Sequence, residues 1–258
     1  MRQVLTLFGI VKYEFKMQIR RRALWITFLC IALLLTIRGG DFRYLFFSSA
    51  NNPLLVVIAE WARTVNLFFP VAVGVLLADR LPRDRRTKVD ELLTTSPSTL
   101  SVRILGKYLG STLATIIPLF AFYCIGIGFL LYQTHNALVI PLALVAFAAI
   151  VIPGIVFIAA FSIACSAVLW VPLYQFLFIG YWFWGNVLSP RKGIPTLSAT
   201  ILTPIGGYMA SGFFGDNQQL IQHASVVKGV ESMLLLLGAA AFIMVTLWRF
   251  MKWQYARQ

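Results

Sequence analysis

Residues 79–107, DRLPRDRRTKVDELLTTSPSTLSVRILGK, are the one long charged run lying between hydrophobic segments. They hold seven of the 22 Lys and Arg and four of the nine acids, so water has to reach them. Between Arg83 and Thr95 there is no Pro or Gly, and Val89, Leu92 and Leu93 recur at the spacing that puts side chains on one helix face. The pattern predicts a short surface helix with a small apolar stripe, stopped at Ser96-Pro97 because proline lacks the N–H a helix interior needs. Ser98 or Thr99 then caps a second helix that runs through Val102 and Ile104 into the next hydrophobic segment. The bland reading of the same run is a basic loop that only fixes topology.

Composition places the chain in the membrane class. Hydrophobic residues make up 59% and charged ones 12%, against roughly half and a quarter in soluble domains. The net charge of +13 falls beside the apolar segments. There it meets anionic headgroups, so membrane lipids are the expected partner and nucleic acid is not. Cys30, Cys124 and Cys165 show no C-x-x-C spacing and are expected as small buried apolar residues. No removable signal peptide is expected at the N-terminus.

In order, residues 1–22 predict an amphipathic interfacial helix with Val4, Phe8, Val11, Phe15 and Ile19 on one stripe, and with Lys12, Glu14, Lys16 and Gln18 largely elsewhere. Spans are expected at 23–37, 54–78, 104–132, 137–165, 170–188 and 230–248, which makes an all-α polytopic membrane protein in a single domain, 1–258. The last three boundaries need care. Residues 137–188 carry no charge over 52 positions, enough for two spans, with the break expected between Ser162 and Pro172 and a kink at Pro153-Gly154. Residues 79–103 form the charged loop. Residues 189–229 form an exterior segment that mixes Gly and Pro with apolar stretches, which predicts partly re-entrant helices. With six spans, 16 of the 22 Lys and Arg lie on the side of both termini, so the termini are expected in the cytosol.

Chemistry-bearing residues are sparse. Glu60 and Arg63 sit three apart near the outer end of the second span, where they either anchor at the interface or line a substrate path. Tyr174, Tyr181 and Trp182 belong to an aromatic belt or to that path. No phosphate loop, H-E-x-x-H, G-x-S-x-G or dinucleotide glycine run occurs, and His135 and His223 have no ligand-spaced partner. No catalytic residues, cofactor or metal are expected, and the chain is not read as an enzyme.

The layout, together with E-L-L-x-x-x-P at Glu91, Leu92, Leu93 and Pro97 followed by Gly106-Lys107, resembles the ABC type-2 exporter permeases. The family's usual Gly-Thr before this motif is here Lys88-Val89, and its preceding acid is either Asp84 or Asp79. The resemblance implies a permease subunit of a bacterial or archaeal plasma membrane. It would pair with a second copy or a paralogue and bind two cytosolic ATPase subunits. The loop helix is then the coupling helix, with Asp84, Arg85, Arg86, Lys88, Val89, Asp90, Glu91, Leu92, Leu93, Pro97 and Lys107 as the ATPase-coupling set. A non-transporting anchor or sensor of such an assembly, and an ATP-independent channel or carrier, are the alternatives.

Overall fold

The structure is a computed structural model and describes residues 2–37, 52–86, 99–188, 195–216, 221 and 224–256. All regular structure among them is helical. The helices are α1 (Arg2–Ile19), α2 (Arg22–Ile37), α3 (Leu54–Leu77), α4 (Arg80–Arg86), α5 (Leu100–Thr134), α6 (Val139–Ala146), α7 (Ile152–Ser166), α8 (Val171–Val187), α9 (Gly207–Phe214) and α10 (Val226–Tyr255).

Helix α3 is the axis. Its residues are buried on several faces, from Val57 and Trp61 through Val65 and Phe69 to Val73 and Leu77. Phe28 of α2 and Phe122 of α5 stack against Phe69 with ring centroids at 5.4 and 4.8 Å. Trp61 donates to the Tyr123 carbonyl at 3.1 Å, so its one polar atom is satisfied inside the core. On the other side Phe178 of α8 lies over Gly74, where a side chain of any size would collide with the ring.

Helices α6 and α7 form one rod joined by a π-helical turn, Phe147–Val151. Pro153 stands at the start of α7, and its missing N–H is the local reason the ladder is rewritten just upstream. The structure places this π-turn just upstream of Pro153-Gly154, where a kink is expected. The rod ends at Ser166 and α8 begins at Val171, inside the window the sequence gives for that break.

Four helices are long and apolar enough to cross a membrane: Leu54–Arg83, Leu100–Thr134, Val139–Ser166 and Val226–Gln254. The outer surface is apolar too, with Leu29, Ile125, Phe176 and Phe242 exposed. Such a surface suits lipid and not water. Helices α2 and α8 are shorter, at 16 and 17 residues. Helix α5, at 35 residues, is about 52 Å long and exceeds a hydrocarbon core of about 30 Å.

One expectation is corrected. Cys30 and Cys124 are exposed on the outer surface instead of buried, and Cys165 is half-buried. Helix α1 leaves Val4 and Phe8 exposed and Val11, Phe15 and Ile19 half-buried, while Glu14 and Gln18 face inward. It runs along the first half of α5, with Leu7 and Ile10 at Gly106, and Val11, Glu14 and Phe15 at Gly110. The two helices therefore point the same way.

Candidate functional site

Three elements meet at the charged end of the bundle, and the glycine seam of α5 is what lets them meet. A Cβ at Gly110 would lie 2.7 Å from the Val11 carbonyl oxygen and 2.7 Å from Glu14 Cβ, so only hydrogen lets α1 approach this closely. Gly106 and Gly110 are four apart, the spacing that puts small residues on one helix face and brings backbones together.

The approach delivers Glu14 to two cations. Arg80 Nη2 donates to Glu14 Oε2 at 2.6 Å, and Lys107 Nζ donates to Oε1 at 3.1 Å. Arg80 Nε also donates to Ser111 Oγ at 3.2 Å. The Arg80 and Glu14 side chains are only 4% and 6% exposed, so this is a desolvated network and not a surface pair. Removing one member of such a set costs about 3–5 kcal/mol, because it leaves the other charge buried without compensation. Beside it Arg21 pairs with Asp79 at 3.3 Å, both side chains being 28% exposed, and a pair that open to solvent contributes at most about 1 kcal/mol.

The network is not fully satisfied. Gln18 is wholly buried, and neither atom of its side-chain amide has a hydrogen-bond partner among the described residues. The same holds for Arg21 Nη1 and for Nε and Nη1 of Arg103.

Of the residues the sequence assigns to ATPase coupling, Lys107 is in this network. Asp84, Arg85 and Arg86 form the last turn of α4, while Lys88, Val89, Asp90, Glu91, Leu92, Leu93 and Pro97 lie outside the described residues. Of the candidate path residues, Arg63 lies 3.3 Å from Asp216 just beyond α9, a charge contact without an aligned N–H. Glu60 is half-buried one turn away. Tyr174 and Trp182 are buried and serve packing: Tyr174 donates to Ser162 Oγ at 2.8 Å, and Trp182 Nε1 donates to the Leu67 carbonyl at 2.7 Å. Tyr181 is exposed, so it does not share their face.

Sequence reasoning missed Asn66. Its Nδ2 donates to the carbonyls of Ile150, Pro204 and Ile205 at 3.1, 2.8 and 3.1 Å. Ile150 lies in the π-turn, where the ladder is interrupted, and Gly206 follows with φ +87°, a conformation that favours glycine. Asn66 thus pins the turns before α9 to the middle of α3. The one amide side chain of the second span, three residues after Arg63, was the available signal. Glu14, Arg80 and Ser111 were also missed as a set, and Gly106-x-x-x-Gly110 was the clue to what faces them.

Among the described residues no group of three or more His, Cys, Asp or Glu is placed to hold a metal ion. A scan against protein-family models gives no match, and no curated protein matches the chain.

Proposed function

We propose that this chain is the membrane-spanning permease subunit of an ATP-driven exporter of the ABC type-2 kind. Two copies, or one copy and a paralogue, form the path, and two separate cytosolic ATPase subunits drive it. In this reading α2 and α8 are the first and fifth of six spans, the charged end faces the cytosol, and residues 79–103 carry the coupling helix.

One observation supports the reading most. Glu14 holds both Arg80 and Lys107, which stand on either flank of the stretch that carries the E-L-L-x-x-x-P motif. A push on that stretch then reaches α1, α4 and α5, because buried ion pairs link the three. In the coupling helix itself, Val89, Leu92 and Leu93 seat in an apolar groove on the ATPase, while Arg85, Arg86, Lys88, Asp90 and Glu91 make rim pairs that set register. ATP-driven closure of the partners tilts the spans only if those contacts differ between the two states.

Leu92→Asp and Glu91→Arg test this. Each is expected to leave the chain inserted while ATP hydrolysis no longer drives transport in reconstituted vesicles. Full transport by both variants, or failure of cross-linkers at Leu92 and Glu91 to capture a nucleotide-hydrolysing neighbour in membranes, overturns it.

A further inference from the structure

The unsatisfied groups at the joint share a geometric property. Glu14 and Gln18 lie on one stripe of α1, four residues apart, and Arg21 follows just beyond the end of the helix. Arg21 and Glu14 are held by the consecutive residues Asp79 and Arg80, which places Gln18 between two ion pairs. Its amide is nevertheless sealed and unpartnered among the described residues. On α5, Arg103 stands one turn before Lys107, on the same face, and two of its guanidinium nitrogens are likewise sealed and unpartnered among the described residues.

One displacement satisfies both. We propose that α1 ratchets along α5 by one helical turn, about 5.4 Å, toward the charged end. Gln18 then stands where Glu14 stands now, facing Arg80 and Ser111. Glu14 moves to the level of Gly106, between Lys107 and Arg103. The seam permits it because its two glycines are themselves one turn apart. After the shift, Gln18 passes Gly110 and Glu14 passes Gly106 as Glu14 and Ile10 pass them now.

The connection to α2 permits it too. The chain leaves helical geometry at Arg20-Arg21, where the Arg21 N–H donates to the Gln18 carbonyl at 3.1 Å, the Leu24 N–H to the Arg21 carbonyl at 3.0 Å and Trp25 Nε1 to the Ile19 carbonyl at 2.7 Å. Breaking these bonds and extending Ile19 to Arg21 supplies the extra length, since extended backbone rises about 3.3 Å per residue and helix about 1.5 Å. Each arrangement keeps Glu14 on a cation, Arg80 and Lys107 in one, Arg103 and Lys107 in the other. In the second, Arg80 keeps only the neutral Gln18 amide and Ser111, a loss that the new partners of Gln18 and Arg103 have to offset.

The ratchet is a property of the chain alone and does not rest on the ATPase reading. Its test uses the full chain in lipid nanodiscs, with Cys30→Ser, Cys124→Ser and Cys165→Ala, and with spin labels at Lys12→Cys on α1 and Tyr132→Cys at the far end of α5. Pulsed dipolar spectroscopy is expected to give two label separations, the longer exceeding the shorter by about 5 Å. Gln18→Leu removes the polar group that replaces Glu14, and Arg103→Gln removes Glu14's second cation. Each is expected to shift the population to the shorter separation by tenfold or more. If Gln18→Leu does not fold, Arg103→Gln decides. A single separation in the parent, or two separations that neither substitution changes, overturns the proposal. If the ratchet is found and no ATPase is ever captured at Leu92, the transport reading falls and the two-state joint stands.

Discussion

Asn66 in the middle of α3 and Arg80 just beyond its end solve the same problem with opposite chemistry. At Arg80 the bundle buries ions, and the charge set is held by geometry that leaves Gln18 and Arg103 unpartnered among the described residues. At Asn66 it buries a neutral amide, whose nitrogen gathers three carbonyls from an interrupted rod and a turn. The two positions are 14 residues apart on α3 and its continuation, about 21 Å along a helix. The amide is a staple: its nitrogen is used while its Oδ1 has no partner among the described residues, and moving it leaves carbonyls stranded. The ionic set is a joint: among the described residues several donors are idle, and Glu14 has a second cation within one turn.

That contrast can be broken by substitution. Glu14→Ala strands Arg80 and is expected to destabilise the chain by about 3–5 kcal/mol, read as a lower denaturant midpoint in micelles. Glu14→Leu combined with Arg80→Met and Lys107→Met is expected to recover most of that, because an apolar set of similar volume needs no compensation. A triple variant as unstable as Glu14→Ala would mean that the charges hold the fold and do not merely tolerate burial. Asn66→Leu comes next, at about 1–3 kcal/mol, since it leaves buried carbonyls unmatched. Its faster amide exchange is expected around residues 147–154 and 203–207 and not in α1. Combined with Glu14→Ala the costs are expected to add, as they do for sites this far apart. Coupling above about 0.5 kcal/mol would join the two sites into one unit.

Gly110→Leu forces α1 off its seam and is expected to cost about 1–3 kcal/mol, with α1 becoming the first segment cut in limited proteolysis. The smallest effect belongs to Arg21→Ala, at about 0–1 kcal/mol, vanishing in high salt because the Arg21–Asp79 pair is partly open to water. A salt-independent loss above that would place Arg21 in the buried network.

Much of the fold was legible. The rod break between Ser162 and Pro172 follows from apolar length and from the positions of Pro and Gly. What α1 packs against was not legible. Glu14 and Gln18 turn inward because α5 offers a glycine groove lined by cations, and a helix packed on such a groove buries its polar side. The same cause hid Tyr174 and Trp182: an aromatic residue near a span end reads as interfacial until a carbonyl or hydroxyl on a neighbouring helix claims its polar atom.

By itself the sequence determined that this is a helical, apolar chain with one charged interruption, because hydrophobic length and helix breakers act locally. Which polar residues share a site was decided only by tertiary structure. Periodicity assigns a side chain to a face of its own helix, whereas the partner of Glu14 depends on how closely another helix can approach, and Gly106 and Gly110, more than ninety residues away, set that distance.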